Sequence, residues 1–202
     1  MYGERKEEYA IILDFMSSGK SFSTKAEPIL QIIGEDFFTL LEAAPKEGAE
    51  VNIGERVYIG KEERDKVALI KSRIAYSQLT ETAKSALPDS VLKIIRANEK
   101  RFTDFFNDAG PLNIREHSLE LLPGIGKKNL GTILNARKER RFESFEDIVS
   151  RTKFIQDPAK IIERRVLTEL EGNERFYLFT KPFQPRPQFG REERYGNRSG
   201  RY

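Results

Sequence analysis

The stretch Leu121-Leu122-Pro123-Gly124-Ile125-Gly126-Lys127-Lys128 decides how the second half of the chain is expected to fold. It joins a predicted helix over residues 114–122 to a second predicted helix over residues 127–138, in which apolar residues recur at helical spacing. Glycine tolerates positive φ and has no Cβ to keep a ligand away from the backbone. Gly124 and Gly126 therefore predict a tight turn between two helices, with N–H groups that face outward.

This turn has the composition of a phosphate-binding site. The free N–H groups at a helix N-terminus attract anions, and Lys127 and Lys128 would add positive charge at the same place. Such contacts hold a nucleic-acid backbone without identifying its bases, so binding is expected to be tolerant of sequence and sensitive to salt. The alternative is an ordinary pair of packed helices whose lysines are only solvated. The candidate binding residues are Gly124, Ile125, Gly126, Lys127, Lys128, Arg137 and Lys138.

The pattern Leu-Pro-Gly-Ile-Gly-x-Lys with its following apolar residues resembles a helix-hairpin-helix motif. The string at residues 142–147 resembles the element between the two hairpins of tandem helix-hairpin-helix domains, with Ser144 as a predicted N-cap. A second hairpin is then expected over residues 152–162, with a last helix that ends at Gly172. This second turn lacks glycines, so phosphate binding is expected only at the first. Leu130 departs from the motif, in which a small residue is common at that position.

Short strands separated by turn residues are predicted for the first part of the chain. Five strands in this length predict a small closed β-barrel, which resembles an oligonucleotide/oligosaccharide-binding (OB) fold, and a different small five-stranded barrel is the alternative. The predicted strands cover residues 9–15, 29–33, 37–43, 56–59 and 67–76.

Two of these predicted strands carry a candidate patch for single-stranded bases. Alternation places Arg56 and Tyr58 on one face of their strand, and Lys71 and Arg73 on one face of theirs, so pairing of the two strands would bring all four together. The alternative is that Tyr58 packs at the barrel rim and the charges are solvated. Residues 1–80 carry 11 Lys and Arg against 14 Asp and Glu, and this acidic balance favours the alternative.

The remaining segments are predicted to be a helical connector and a basic tail. Residues 80–108 have a helical pattern with a start signal at Pro88, and residues 176–180 are predicted as a short strand or an extended arm. Residues 181–202 carry 6 Lys and Arg against 2 Asp and Glu, with arginine interleaved with aromatic residues. Such a tail either binds phosphates and bases or is only a solvated segment.

Composition excludes several kinds of chemistry. The chain has no cysteine, which rules out disulfides and thiolate sites, and its single histidine, His117, suits a helix-surface or N-terminal-turn role better than catalysis. No stretch is long and apolar enough for a membrane span, and the N-terminus has no signal-peptide pattern, so a cytoplasmic location is expected. The sequence predicts no cofactor and no metal site.

The expected protein is α+β with two domains. A five-stranded OB-like β-barrel is predicted for residues 1–78 and an all-α tandem helix-hairpin-helix domain for residues 112–175, with a connector at 79–111 and a tail at 176–202. This combination resembles an archaeal domain-of-unknown-function family that pairs an OB-fold-like barrel with a helix-hairpin-helix region.

The resemblance implies nucleic-acid binding and gives no reaction. We expect a non-catalytic nucleic-acid-binding protein, with RNA slightly favoured over DNA. A nuclease or DNA-repair enzyme and a protein-interaction adaptor are the alternatives, and protein partners remain open.

Overall fold

The computed structural model describes residues 6–19 and 27–184, which form an α+β fold with one sheet. All strand pairs are antiparallel, in the order β4-β1-β2-β3-β5, and the sheet curls into a half-barrel. The strands are β1 (Tyr9–Met16), β2 (Ile29–Gly34), β3 (Leu40–Pro45), β4 (Arg56–Tyr58) and β5 (Val67–Arg73). The helices are α1 (Glu81–Ala97), α2 (Glu99–Asp108), α3 (Lys127–Glu139), α4 (Phe145–Thr152) and α5 (Pro158–Glu171), with 3-10 turns at Tyr76–Gln78 and Ser118–Leu121.

The sheet is open, in contrast to the closed barrel expected from the sequence. β4 and β5 form its two edges and are not hydrogen-bonded neighbours. β4 contains only three residues, which leaves few backbone groups for a second partner, and the expected strand 67–76 ends at Arg73 before a 3-10 turn. The strands therefore form a half-barrel, and their two faces are covered in different ways.

The central strands β1 and β2 are buried on both faces, whereas most of the edge strand β5 is exposed. Ile12, Ile32 and Leu41 lie side by side on the concave face and form a small core with residues of β4 and β5. Their neighbours Ile11 and Ile33 point the other way, toward the helices. This is why β1 and β2 are almost continuously apolar instead of alternating with polar residues.

A buried polar cluster fixes the start of α1 against the sheet. The Thr80 hydroxyl accepts from the Ala83 N–H at 3.0 Å as the N-cap of α1, and it donates to Asp14 of β1 at 2.6 Å. The Thr80 N–H donates to the Gln31 side chain of β2 at 2.9 Å. These bonds satisfy the buried polar groups and set the position at which α1 crosses the sheet.

Pro88 lies inside α1, so its prediction as a helix start was wrong. An internal proline costs a helix about 3 kcal/mol, because one hydrogen bond is lost and the ring crowds the preceding turn. Ala83, Leu87, Val91 and Ile95 continue one buried stripe across the proline. Burial of each larger side chain contributes about 1.5–3 kcal/mol, so together they outweigh the cost.

One hydrophobic core joins the sheet to all five described α-helices. It extends from Ile11 and Ile33 through Leu87 of α1 to Ile133 of α3 and Ile162 of α5 without a break. This core includes residues on both sides of positions 78 and 111, and the domain boundaries at these positions stay a prediction.

The segment after α5, residues 176–183, is called the arm and is clamped by one buried carboxylate. Residues 176–180 form no strand but extend along α5. The Glu169 side chain accepts from Arg165 Nε at 2.9 Å and from the N–H groups of Leu178, Phe179 and Thr180 at 2.7–3.0 Å. This arrangement pairs a buried charge with a cation and with backbone donors, and it places the Phe179 ring against α2.

Candidate functional site

The turn before α3 has the tight geometry that its glycines predict. Gly124 has a φ of +84°, in the left-handed region, and Gly126 is the N-cap of α3 with φ −86° and ψ 178°. Between them Ile125 is buried, and its N–H donates to the Leu122 carbonyl at 3.1 Å. The buried isoleucine anchors the turn, while both glycines lie exposed at the surface.

The segment that leads into this turn is not the predicted helix over residues 114–122. Its only regular element is the 3-10 turn Ser118–Leu121. The Asn113 side chain accepts from the N–H groups of Arg115 and Glu116 at 2.8 and 3.0 Å, which replaces the bonds of a helix start. Pro123 also disfavours helical backbone at the residue before it.

His117 caps this 3-10 turn, in agreement with its predicted N-terminal-turn role. Its Nδ1 accepts from the Leu119 N–H at 3.2 Å, and the Glu120 carboxylate accepts from the His117 N–H at 2.9 Å. Burial, with a smaller contribution from Arg137, lowers the pKa of His117 below its ordinary value of 6.5. The neutral ring is thus the form that caps the turn.

The N-terminus of α3 presents open donors beside two cations. Gly126 has no side chain to cap the helix, and the N–H groups of Gly126, Lys127 and Lys128 donate to no atom of residues 6–19 or 27–184. The side chains of Lys127 and Lys128 are exposed and make no ion pair within those ranges. Asn129 closes the turn from its own helix by donating to the Gly124 carbonyl at 3.0 Å. This arrangement can receive an oxyanion.

The corresponding turn before α5 is already occupied by the protein's own carboxylate. Asp157 is the N-cap of α5, and its side chain accepts from the Lys160 N–H at 3.2 Å. The chain reverses through Lys153, which has a φ of +61°, and buries Ile155 as the first turn buries Ile125. The predicted difference between the two turns therefore has a structural basis: the second has no open helix N-terminus.

Arg137 and Lys138, the other two candidates in α3, lie at the far end of the helix. At a rise of about 1.5 Å per residue they are roughly 15 Å from the turn along the helix axis. Arg137 Nη1 donates to the Phe106 and Ala109 carbonyls at 3.0 and 2.8 Å and thereby caps the C-terminus of α2. Burial lowers the pKa of Arg137. Lys138 is exposed and has no hydrogen bond or ion pair among the described residues.

The four residues of the candidate sheet patch are not brought together by strand pairing. β4 and β5 are opposite edges of the sheet, so the condition for the patch is not met. Arg56 makes a two-point ion pair with Glu35 at 2.7 and 2.9 Å and lies over the Tyr9 ring. Tyr58 packs edge-on against the same ring, with 5.2 Å between the ring centres.

The two members of the patch in β5 also have partners within the protein. Lys71 pairs with Glu27 at 3.0 Å, and Arg73 donates to the Lys181 carbonyl in the arm. Sequence reasoning did not identify Asn129 as the side chain that closes the first turn. The tail residues from 185 onward lie outside the described part of the chain.

Comparison with known proteins identifies the family. A family model described as "Protein of unknown function (DUF655)" matches residues 6–181. The chain belongs to the DUF655 family. Its similar proteins include "Uncharacterized protein MJ0038" of Methanocaldococcus jannaschii, which is 41% identical over 180 residues that make up 88% of this chain and 82% of the relative.

A DUF655 crystal structure has the same fold. The structure of Af1531 from Archaeoglobus fulgidus matches with a TM-score of 0.80 and 45% identity, over 87% of this chain and 100% of that one. The predicted membership of an archaeal family of unknown function is thus confirmed. Among the described helices of this DUF655 chain, none has the length and apolar character needed to cross a membrane.

Proposed function

We propose that this protein binds nucleic acid through the phosphate backbone, at the turn formed by residues 124–128. The observation that carries the proposal is the open N-terminus of α3 beside Lys127 and Lys128, two exposed lysines that pair with no described carboxylate. Backbone N–H groups and lysines bind phosphate oxygens without identifying a base. The proposed activity is non-catalytic binding with little sequence preference.

The same proposal interprets residues 112–175 as a tandem helix-hairpin-helix module. Two turns, before α3 and before α5, each bury one isoleucine and each contain a residue with positive φ, which supports a repeated hairpin. In this interpretation the second hairpin serves packing, because Asp157 occupies its helix N-terminus. The half-barrel would be an OB-like element that supports the module.

RNA is proposed slightly ahead of DNA as the ligand. The support is the arginine and aromatic composition of residues 181–202, which suits single strands. The sheet patch adds no support, since Arg56 and Lys71 are already paired with carboxylates. The relative affinities for RNA and DNA therefore decide which nucleic acid is the ligand.

The test is binding of the full chain to labelled single-stranded RNA, duplex RNA and duplex DNA over a salt series. Replacement of Lys127 and Lys128 by Glu should weaken binding about tenfold or more at low salt and reduce the slope of log affinity against log salt by roughly 2, about one for each lost phosphate contact. The loss should be similar for unrelated sequences, because these contacts do not distinguish bases.

A double variant at the second hairpin provides the matched control. Lys153→Glu with Arg164→Glu makes the same change in net charge at two exposed side chains without an ion pair among the described residues. It should weaken binding clearly less than the change at the first turn. Equal losses of affinity in the two double variants would show that the effect comes from net charge alone. Unchanged affinity after Lys127→Glu with Lys128→Glu would refute the site. Loss of full-length RNA in the presence of magnesium would instead favour the nuclease alternative.

A further inference from the structure

A partly enclosed cleft of about 470 Å³ lies away from the turn before α3. Its walls are the end of β5, the 3-10 turn Tyr76–Gln78, the C-terminal end of α5 and the arm. This volume falls within the range of pockets that hold small organic ligands. The arm wall is held in place because Glu169 accepts three of its N–H groups.

Four aromatic residues line the cleft, and of these Phe38 is fully buried in the wall. Tyr76 comes from the 3-10 turn, whereas Tyr177 and Phe183 come from the arm. Each tyrosine is only half-buried, so part of its surface is open to a ligand. Aromatic rings arranged in this way are suited to stack on a planar ring, such as a nucleobase.

Arg73 is the cation that faces the cleft. It is half-buried, donates to the Lys181 carbonyl and makes no ion pair in the described part of the chain, although the Glu7 carboxylate acts on it from a longer distance. The ammonium of Lys181 lies 4.6 Å from the centre of the Phe37 ring, which is not part of the cleft wall. A guanidinium in this setting favours an anion, and phosphate accepts from it at two points.

The acidic side chains of the cleft do not cancel this charge. Glu169 lines the cleft, but its carboxylate is taken up by Arg165 and by the arm. Glu171, at the end of α5, also lines the cleft; it is exposed and makes no ion pair with Arg73. Its carboxylate, with the nearby Asn173 amide, can accept from an exocyclic amino group.

From this arrangement we infer that the cleft is a binding site for one nucleotide unit, with its base against Tyr76 and Tyr177 and its phosphate at Arg73. The ligand is either a free mononucleotide or one unstacked nucleotide of a bound strand. The two sources share the same chemistry. The inference adds to the proposed function but does not depend on it, because the turn before α3 takes no part in the cleft.

The test is titration of the full chain with AMP, with adenosine and inorganic phosphate as partial ligands. AMP should bind more tightly than either fragment. Arg73→Gln and Tyr177→Leu should each weaken AMP binding by at least about fivefold, the first through phosphate and the second through base stacking. Arg164→Gln, an exposed change outside the cleft, is the control and should leave AMP binding unchanged. Arg73→Gln removes the hydrogen bond from Arg73 to the Lys181 carbonyl, and its loss would loosen the arm. Tyr177→Leu keeps this hydrogen bond, so weaker AMP binding by Tyr177→Leu is not explained by loss of that bond.

Two further measurements are needed. One separates this inference from the proposed function, and the other separates a free nucleotide from a nucleotide of a bound strand. The variant with Lys127→Glu and Lys128→Glu should bind AMP normally, even where it has lost RNA. If Arg73→Gln also weakens single-stranded RNA binding, the nucleotide belongs to the strand; if it weakens only AMP binding, the ligand is a free nucleotide. Absence of AMP binding at millimolar concentration, or AMP binding that neither cleft variant changes, would overturn the inference.

Discussion

Arg137 shows how a cation near a candidate site becomes part of the framework. Its guanidinium donates to two carbonyl oxygens at the end of α2, about thirty positions earlier in the chain. A cation at a helix C-terminus satisfies carbonyls that have no partner within the helix and interacts favourably with the helix dipole. Arg101 likewise donates to two carbonyls, those of Glu35 and Asp36 in the turn after β2. Because such partners lie far apart in sequence, the sequence does not show which cations are already bound within the protein. The net charge therefore overstates the number of cations that are free to bind a ligand.

His117 provides a prediction at the scale of a single residue. It is the only histidine of the sequence, so its NMR signal is identified without ambiguity. The pKa of His117 should lie below 6.5, because burial disfavours the charged ring and Nδ1 accepts the Leu119 N–H. The unfolded chain then takes up the proton more readily, so stability is lost as pH falls from 6.5 through the folded pKa and is unaffected by this group above 6.5.

NMR titration of the His117 Cε1–H resonance in the folded protein measures this pKa directly. The stability of a His117→Asn variant, which keeps a side-chain acceptor at the cap, should fall less with pH over the same window. A pKa at or above 6.5 would contradict the expected burial and the neutral cap.

The helix N-termini of this protein differ in how they are capped. Thr80, Ser144 and Asp157 cap α1, α4 and α5 with side-chain oxygens, whereas α2, which follows directly on α1, and α3 have no such cap. A side-chain cap at an N-terminus usually contributes to stability, so its absence at α3 is consistent with a site kept open for an external anion.

Gly126→Asn tests this difference within one helix. The backbone of Gly126 has negative φ, and an added Cβ would meet no atom within 4 Å, so the asparagine fits without strain. Its side chain should accept from the first turn of α3 and raise the free energy of unfolding by a few tenths to about 1 kcal/mol. RNA affinity should fall at the same time, although net charge is unchanged.

Urea denaturation and RNA titration of the Gly126→Asn variant measure the two effects. Asp157→Gly is the reverse change in the turn before α5, and it should lower stability without weakening RNA binding. A Gly126→Asn protein that is more stable and binds RNA as tightly as before would show that the N–H groups of α3 are not ligands.

Local signals explain which elements were predictable. Ser144 begins α4 and Gly172 ends α5 as expected, because caps act within one turn of the chain. The helix start predicted at Pro88 was wrong because α1 continues through the proline, stabilised by packing on the sheet. Such packing cannot be predicted from the residues next to the proline. For the candidate site, the sequence predicted the conformation of the first turn and its lysines. It did not predict the partners of Arg137 or Arg73, which depend on tertiary contacts.

At the scale of the whole molecule, α1 connects the two halves that the sequence suggests. It contacts β1 on one side and α5 on the other, and its buried stripe belongs to the continuous core. The central strands β1 and β2 are buried on both faces, so separation of the helices from the sheet would expose apolar surface to water. We therefore expect the sheet and the helices to unfold together.

Leu87→Ala tests this expectation, since Leu87 is fully buried in α1 within that core. It should lower the free energy of unfolding by about 2–5 kcal/mol while the transition stays single and coincident by far-UV circular dichroism and tyrosine fluorescence. Ser85→Ala, exposed on the same helix, should change stability by less than about 0.5 kcal/mol. Two separate transitions would show that the sheet and helices are independent domains.

The clamp that Glu169 makes on the arm also fixes the place from which the last residues depart. The part of the chain that the structure describes ends at residue 184, directly after Phe183 in the wall of the cleft. The sequence that follows has arginines at positions 186, 191, 194, 198 and 201, and it is joined covalently to the arm at this point. A binding group on such a tether acts at an effective concentration set by the length of the tether and not by the concentration of the protein.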